Sequence, residues 1–372
     1  MAFSKDLFLI PYYVAKMESL DMEFVYNVND GGRKIPLSYR NATLIEVVKR
    51  NELLTMLRYI VLKASLIDVL FMHGSSTMHM LAIRLYKLFN KKGKVIVFGD
   101  MELPQAQEMN KTDFLCPRGL KGVVKRILVD FMMKNSAYIV ANTEAYEEMK
   151  DLCDRKGWTG LLHFYPCIDD EKFNEYGMTR KTMAEKDNVM VCVGRIGCHQ
   201  KNTEMLLDAL EKVDIKDWKI YMLGPVTSSF DLNEKGNFQR TIDAFFERNP
   251  QYRDKLIFKG MVTDQSEMFE YYNNAKVLLM TSRHESWGNV YSEAAALGCY
   301  IISTEVGGAR LCSNNWQYGT KVGQEDANGL AKVLRELVAG KIQIDETKSL
   351  ALEQLSYTRL TKDILLRKLK DE

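Results

Sequence analysis

Short apolar runs alternate with amphipathic segments along most of the chain. In the first half, the runs predicted to form strands are IDVLFM (67–72), KVIVFG (94–99), AYIVAN (137–142) and LLHFYP (161–166). The segments between them carry apolar residues at helical spacing and are predicted as helices over 77–89, 119–135 and 144–157. Short buried strands separated by amphipathic helices are typical of βαβ units and of a parallel sheet covered on both faces.

The same pattern repeats after residue 188. The runs predicted to form strands are 189–194, 218–224, 255–260, 276–282 and 300–305. Helices are predicted over 203–213, 266–275, the segment around Glu293, 326–340 and 361–371. Two consecutive series of this kind predict an α/β protein with two doubly wound, Rossmann-like domains, each built on a parallel sheet.

The domain boundaries follow from a polar run between the two series. Residues 169–188 are rich in charge and poor in apolar side chains, so we predict a linker there. This gives an N-terminal domain over 1–168 and a C-terminal domain over 189–350. The final segment, 351–372, is predicted to end in a helix that docks on either domain, including a return to the first.

The start of the chain fits two structures. Leu7, Ile10 and Val14 share one helical face within 5–17, whereas Pro11 disfavours a deep helix interior and leaves a strand open. We predict the helix, in which case the usual first strand of the domain is missing. Residues 21–28 are predicted as a strand.

Composition narrows the function classes. A net charge of +2 favours neither a nucleic-acid partner nor an acidic tail. The seven cysteines are widely spaced with no C-x-x-C pair, which favours reduced thiols over disulfides or a structural metal. No apolar run reaches the ~18 residues of a membrane span, and the N-terminus lacks the pattern of a signal peptide. We therefore predict a cytoplasmic protein, and contact with a membrane surface stays open.

The first candidate for chemistry is the loop GRIGCHQKN (194–202), between a predicted strand and a predicted helix. Ligands of open parallel sheets bind at such loops, and a helix N-terminus attracts anions. Arg195 and Lys201 flank this helix start, and both side chains suit phosphate oxygens. The loop therefore predicts a diphosphate clamp. The alternative is two solvated surface cations.

The second candidate is RHESWGNVYSEAAALG (283–298), with glutamates eight positions apart. Glu285 precedes Gly288, which lets backbone amides approach a ligand, and Glu293 lies among alanines in a predicted helix. A buried carboxylate needs hydrogen-bond donors, and the vicinal hydroxyls of a ligand can supply them. The alternative for Glu293 is an acid that stabilises the helix start. A glycine pair in STEVGGARL (303–311) is predicted to turn amides toward the same place, although such a pair is a weak signal.

Together these loops resemble the nucleotide-sugar half of retaining glycosyltransferases of the GT-B fold, of the type known as family four or glycosyl transferases group 1. The matching motifs are GR with a lysine six residues later, KG at 259–260, the E-x7-E spacing of Glu285 and Glu293, and TEVGGAR (304–310). The first half is similar to the family through 68–74, 141–149 and 165–173. The resemblance implies two Rossmann-like domains facing a central cleft.

The resemblance also implies roles for single residues. Arg195 and Lys201 would hold the donor diphosphate in place of a metal ion, Glu285 would contact the transferred sugar, and Glu293 would bind the ribose hydroxyls. The implied catalytic residues are Arg195, Lys201 and Glu285. The implied donor-binding residues are Gly194, Arg195, Lys201, Gly260, Met261, Glu285, Ser286, Trp287, Gly288, Asn289 and Glu293.

The acceptor side departs from the family. Its glycine-rich loop after the first strand is absent, and Gly99-Asp100 stands where members often have a histidine. His73, at a predicted strand end, and Asp100 are the candidate acceptor residues. The predicted helix over 117–135 carries Lys121, Lys125 and other basic residues beside an apolar stripe. It is either a membrane-surface helix near a lipid-linked acceptor or an ordinary domain helix.

The function expected from the resemblance is retaining transfer of a hexosyl group from a nucleotide-sugar donor, a UDP-sugar by default. The acceptor would be a glycan or glycolipid of a cell-surface polysaccharide such as capsule or lipopolysaccharide, and no metal or other cofactor is expected. Two alternatives stay open: a nucleotide-sugar epimerase of similar fold, and a binding protein without catalysis.

Overall fold

The computed structural model describes residues 6–27, 38–40, 42–47, 52–116, 118–226 and 238–371. Its chain forms two compact units, one of residues 1–166 together with 357–372, the other of residues 167–356. In the described residues, no helix combines the length and the apolar character that crossing a membrane requires.

The first unit contains two sheets and the helices around them. Its elements are α1 (Asp6–Met17), β1 (Met22–Asn27), β2 (Ser38–Tyr39), β3 (Ala42–Val47), α2 (Glu52–Lys63), β4 (Val69–His73), α3 (Thr77–Phe89), β5 (Lys94–Phe98), α4 (Leu103–Lys111), α5 (Leu120–Lys134), β6 (Ala137–Val140), α6 (Thr143–Lys156) and β7 (Leu161–His163). The four strands β4 to β7 form one parallel sheet in sequence order. The helix at the start of the chain is confirmed as α1. The strand over 21–28 is confirmed for the described residues as β1.

The strand β1 does not belong to the four-stranded sheet. It pairs in parallel with β3, and β3 pairs antiparallel with the two-residue β2, so these three strands form a sheet of their own. The aromatic ring of Phe8 in α1 packs edge-on against Phe24 of β1 and Tyr39 of β2. The apolar face of α1 therefore buries itself on the small sheet.

The larger sheet of the first unit is covered by amphipathic helices. The helix α3 buries Met80, Ile83 and Tyr86, which lie at the three-residue spacing that puts side chains on one face. They pack in one apolar cluster with Val95 and Val97 of β5. Burial of this face holds the strand ends β4 and β5, and the loops after them, in fixed positions.

The second unit is a six-stranded parallel sheet with helices. Its elements are α7 (Asp170–Glu175), β8 (Asp187–Val193), α8 (Thr203–Leu210), β9 (Lys219–Leu223), α9 (Phe238–Arg248), β10 (Leu256–Gly260), α10 (Gln265–Asn274), β11 (Ala275–Met280), α11 (Asn289–Ala296), β12 (Tyr300–Thr304), α12 (Ala309–Cys312), β13 (Gly319–Val322) and α13 (Ala327–Val338). The strand order is β10-β9-β8-β11-β12-β13. The alternation predicted from the sequence is confirmed, and the fold is a two-domain α/β fold with parallel sheets.

The predicted linker at 169–188 is part of the second unit instead. Residues 170–175 form α7, and two of the charged side chains that follow bind backbone carbonyls of the unit. Arg180 Nη1 donates to the carbonyl oxygen of Leu350 at 2.6 Å, and the buried Lys186 donates to those of Tyr272 and Asn273 at 2.9 and 2.8 Å. These two side chains supply hydrogen bonds to carbonyl oxygens at the ends of helices and loops, so their charge does not indicate a solvent-exposed linker.

The chain leaves and enters the second unit at neighbouring points. Ile168 forms a parallel bridge with Ser356, and its N–H donates to the carbonyl oxygen of Leu355 at 2.8 Å. Residues after 356 belong to the first unit, where α14 (Tyr357–Leu360), a π-helical turn (Thr361–Leu366) and α15 (Arg367–Asp371) follow one another. The ring of Tyr357 stacks on Tyr13 of α1 at 5.4 Å.

Candidate functional site

The strand order of the second unit branches at β8. From β8 the sheet continues to β9 and β10 on one side, and to β11, β12 and β13 on the other. Open parallel sheets bind ligands at such a switch point, beyond the carboxyl ends of the strands. The two segments singled out in the sequence, 194–202 and 283–298, begin just after β8 and β11. Both therefore lie at the point where the topology favours a ligand.

Lys201 and Glu285, one from each loop, form an ion pair. Lys201 Nζ lies 2.5 Å from Glu285 Oε1, with 16% of the lysine side chain and 7% of the glutamate side chain exposed. Glu285 Oε1 also accepts a 2.8 Å hydrogen bond from Ser282 Oγ. An unpaired buried carboxylate is costly, so these donors explain how the fold tolerates Glu285 here.

Gln200 connects Arg195 to this pair. Its Nε2 donates to Glu285 Oε2 and to the carbonyl oxygen of His284, each at 3.1 Å. Its Oε1 accepts a 2.8 Å hydrogen bond from Arg195 Nη2. The side chain of Arg195 is exposed, so the guanidinium is held at the rim of the cluster. The structure thus brings Arg195, Lys201 and Glu285 into one hydrogen-bonded group.

The backbone of the 194–202 loop is shaped for this arrangement. Gly194 has φ +147°, and a Cβ added there would lie 2.6 Å from Cε of Lys201, so the lysine stem passes directly over the glycine. Asn202 takes the left-handed conformation, with φ +48°, immediately before α8. Thr281 Oγ1 donates to the carbonyl oxygens of Lys201 and Asn202 at 3.0 and 2.9 Å. These contacts fix the loop after β8 against the loop after β11.

Glu293 lies in α11 and interacts with Tyr272 of α10 and with Asp169. Burial raises the pKa of the Glu293 carboxyl to about 7; hydrogen bonding by the Tyr272 hydroxyl opposes this shift, and the negative charge of Asp169 adds to it. The contact with Tyr272 is loose, because the buried Tyr272 Oη has no partner in hydrogen-bonding geometry among the described residues. The protein therefore stabilises the Glu293 carboxylate only weakly. A ligand's hydroxyl groups would favour the charged form.

Trp287 is a core residue, with 2% of its surface exposed. Its Nε1 donates to Ser292 Oγ at 2.9 Å, and its carbonyl oxygen accepts the N–H of Gly308 at 2.8 Å. A Cβ added to Gly307 would lie 2.2 Å from that oxygen, and one added to Gly308 would lie 2.8 Å from the indole Cε2. The glycine pair, predicted to turn its amides toward a ligand, is thus explained by close packing on Trp287, which takes the Gly308 N–H.

The remaining donor-side residues lie at the ends of the strands. Ser286, Gly288 and Asn289 are half-buried and form the turn into α11, where Gly288 has φ +79°. On the side of β8 that holds β9 and β10, the N–H of Gly224, just after β9, donates to the carbonyl oxygen of Gly260, the last residue of β10, at 2.8 Å. Met261 follows with 68% of its surface exposed.

The candidate acceptor residues lie in the first unit. His73 ends β4, and Asp100 follows β5 by two residues; both side chains are exposed. The two strands are neighbours, with His73 opposite Phe98 in the register and their rings stacked at 5.4 Å. His73 and Asp100 therefore lie at the same carboxyl edge of the four-stranded sheet.

Sequence reasoning missed the polar residues that support the charged ones. Gln200 and Ser282 bind Glu285, and Tyr272 and Asp169 influence Glu293. Gln200 had a usable signal, because it is the residue before Lys201 in a loop already selected for its chemistry. The other three carried none. In the described part of the chain, no group of three or more His, Cys, Asp or Glu side chains lies close enough to hold a metal ion.

Comparisons with known proteins agree with this fold. Residues 187–340, which lie within the second unit, match the family model described as glycosyl transferases group 1. A Klebsiella pneumoniae protein described as an uncharacterized 41.2 kDa protein in the cps region is 25% identical over 280 residues, covering 73% of this chain and 70% of the relative.

Two solved structures extend the likeness over nearly the whole chain. Anabaena HepE, solved with UDP and glucose, has a TM-score of 0.61 and 13% identity, covering 99% of this chain and 96% of its own. A trehalose-6-phosphate synthase, from a study of glycosyltransfer with retention, has a TM-score of 0.62 and 10% identity, with coverage of 97% and 96%. At these identities the likeness shows the fold.

The chain has the GT-B fold of glycosyltransferases. Residues 187–340 match the model of the glycosyl transferases group 1 family, so the resemblance drawn from the motifs is confirmed.

Proposed function

We propose that this glycosyltransferase moves a hexosyl group, with retention and without a metal ion, from a nucleotide-sugar donor to a glycan or lipid-linked acceptor of a cell-surface polysaccharide. A UDP-sugar is the proposed donor. The observation that carries the proposal is the buried Lys201–Glu285 pair, joined to Arg195 through Gln200 at the switch point of the sheet. The cps-region relative and the neighbour solved with UDP and glucose support it.

In this proposal the two cations bind the donor diphosphate. An ammonium group has three donors, so pairing with one carboxylate oxygen leaves Lys201 capacity for phosphate oxygens. Arg195, exposed at the rim and oriented by Gln200, can fork onto a second phosphate. As the bond to the sugar breaks, negative charge grows on the diphosphate, and these preorganised cations stabilise it where a metal would otherwise act.

Glu285 and Glu293 have separate proposed tasks. Glu285, fixed from three sides by Lys201, Ser282 and Gln200, presents its remaining lone pairs to hydroxyls of the transferred sugar. Glu293 accepts hydrogen bonds from the ribose hydroxyls, which the loose contact with Tyr272 leaves room for. Retention then requires the acceptor to approach on the face that the diphosphate leaves.

The remaining parts of the donor and acceptor sites follow the strand ends. The nucleotide base is proposed to lie by Gly260 and Met261, with Ser286, Gly288 and Asn289 in the turn toward the sugar. The acceptor is proposed to bind at His73 and Asp100 of the first unit. A peripheral contact with the membrane is proposed for an acceptor that is linked to lipid.

The test measures release of free nucleoside diphosphate from UDP-, GDP- and ADP-sugars, with EDTA and with added Mg²⁺. We expect release from UDP-sugars, unchanged by EDTA. An epimerase would convert the sugar without releasing the nucleotide, and a binding protein would do neither. Loss of release on chelation, restored by Mg²⁺, would contradict the metal-independent mechanism.

Two lysine-to-methionine variants test whether Lys201 binds the diphosphate. Lys201→Met keeps the apolar stem over Gly194 and removes the charge, and we expect UDP to bind at least about 10-fold more weakly because charge-assisted hydrogen bonds are lost. The matched control is Lys332→Met on α13, whose side chain is 72% exposed. Equal UDP affinity of Lys201→Met and the wild type, measured by titration calorimetry, would show that Lys201 does not bind the diphosphate.

A further inference from the structure

Two helices of the first unit, α3 and α5, expose a surface that the donor site does not explain. Among the described residues, fourteen large hydrophobic side chains are exposed, and half of them lie on these two helices. With their exposed fractions they are Leu81 (42%), Leu88 (69%), Phe89 (52%), Leu120 (82%), Val123 (45%), Val124 (51%) and Ile127 (53%). Concentration of exposed apolar side chains in one place marks an interaction site.

The exposed strips of the two helices lie side by side. The guanidinium of Arg84 on α3 packs over the ring of Phe131 on α5, at 5.4 Å from the ring centroid. Leu81 lies one turn before Arg84, and Ile127 lies one turn before Phe131. Each helix leads directly into a strand of the same parallel sheet, so both run in the same direction along it. The apolar residues therefore form one surface, named here the α3–α5 surface.

The α3–α5 surface is also strongly basic. The charged residues of the two helices are Arg84, Lys87, Lys121, Lys125, Arg126, Asp130 and Lys134. Six are basic and one is acidic, which gives these helices +5 in a chain whose total is +2. The acid is neutralised locally, because Asp130 pairs with Lys134 at 2.9 Å and accepts a hydrogen bond from Trp158. Lys121 and Arg126 are exposed among the apolar side chains.

This chemistry selects one occupant. A helix with exposed leucine, valine and isoleucine next to lysine and arginine is suited to the headgroup boundary of an anionic bilayer. A second copy docked by two-fold symmetry would set the same basic surface against itself, which like-charge repulsion disfavours. We infer that the α3–α5 surface docks on a membrane that contains anionic phospholipids.

The start of α5 lies near the proposed acceptor residues. Because α5 runs back to the start of β6, Leu120 at its first turn lies toward the carboxyl edge of the four-stranded sheet. His73 and Asp100 lie at that edge. Docking would thus bring a lipid-linked acceptor toward the proposed acceptor residues. The inference specifies the membrane contact of the proposed function, but none of its residues belongs to the donor site.

The test is flotation of the full chain with vesicles of phosphatidylcholine, alone or mixed with phosphatidylglycerol. We expect binding to the mixed vesicles that weakens with salt. Val124→Glu combined with Ile127→Glu should lower the partition coefficient by at least about 100-fold, through lost apolar burial and added repulsion. Lys121→Gln with Arg126→Gln should lower it about 30-fold. The matched control is Val25→Glu, at a valine of β1 with 40% exposure.

Donor hydrolysis in solution, without vesicles, is measured on the same variants. Unchanged hydrolysis shows that the variants are folded, so a loss of flotation can be assigned to the α3–α5 surface. If the wild type and the variants all fail to hydrolyse the donor while the wild type still floats, the result counts against the proposed function and not against the membrane contact. Three results would overturn the inference: no binding to mixed vesicles, equal binding by wild type and Val124→Glu/Ile127→Glu, or a dimer in sedimentation that this double variant abolishes without any vesicle binding.

Discussion

The Lys201–Glu285 pair allows its structural and functional roles to be separated. Lys201→Met leaves the Glu285 carboxylate buried without its cation, a change that typically costs about 3–5 kcal/mol of unfolding free energy. Glu285 keeps hydrogen bonds from Ser282 at 2.8 Å and Gln200 at 3.1 Å. Hydrogen bonds to a charged group contribute appreciably, so we expect the lower end of the range, about 3 kcal/mol.

A second variant removes the stranded charge. In Lys201→Met/Glu285→Gln a neutral amide replaces the carboxylate, so we expect the double variant to regain about 2 kcal/mol over Lys201→Met alone. Nucleotide release should not recover, because the double variant lacks both the cation proposed for the diphosphate and the carboxylate proposed for the sugar. Loss of such a preorganised electrostatic group lowers kcat by about 100- to 1,000-fold.

The assay follows urea unfolding by intrinsic fluorescence. Trp218, Trp287 and Trp316 are three of the four tryptophans and lie in the 167–356 unit, so the signal reports mainly that unit. The reasoning is refuted in its structural part if Lys201→Met unfolds at the wild-type urea concentration. It is refuted in its functional part if the double variant releases nucleotide at the wild-type rate.

Three further predictions concern the same loops. Gly307→Ala should lower the unfolding free energy of the second unit by at least about 2 kcal/mol, because φ is +53° and the new Cβ would lie 2.2 Å from the Trp287 carbonyl oxygen. Urea unfolding checks this. The control is Gly340→Ala, at a site with a similar φ and open space around the new Cβ. Gly194→Ala should displace the Lys201 stem and weaken UDP binding about 10-fold. Uridine, which lacks the diphosphate and would use the proposed ribose contact of Glu293, should lose less affinity; calorimetry with both ligands checks this. Glu293→Gln should remove a pH dependence of the unfolding free energy. Because the pKa of Glu293 is raised from 4.5 to about 7 in the folded state, the protonated carboxyl stabilises the fold fully at low pH, and this contribution is lost as pH rises from about 4.5 through 7. The variant should therefore be more stable than wild type at pH 8, by on the order of 2 kcal/mol, and similar at pH 4.5; equal stability at both would contradict the raised pKa.

Regular elements with clear periodicity were the most predictable part of the fold. The helix over 77–89 coincides with α3, because its apolar residues repeat at one helical face against a sheet strand that is apolar throughout. The strand β3 escaped prediction. It follows a two-residue strand in a separate small sheet, and nothing in its sequence says which strand it pairs with.

Charge was the least predictable feature, because its meaning depends on distant partners. The polar run at 169–188 resembles a solvated linker, yet Arg180 reaches the carbonyl oxygen of Leu350, 170 positions away. In the candidate site, Lys201 and Glu285 were each selected from local motifs, but their pairing across 84 positions came only from the strand order. Gln200 was missed although its place next to Lys201 was a usable signal, because its hydrogen bond to Glu285 spans 85 positions.

The bridge between Ile168 and Ser356 has a practical consequence for protein engineering. Since the two ends of the 167–356 unit are neighbours, a short peptide can close them into a ring, and new termini can be opened in an exposed turn such as the one at Gly340. Because both connections to the rest of the chain leave the 167–356 unit at neighbouring positions, the whole unit can be exchanged for that of a relative with two adjacent junctions.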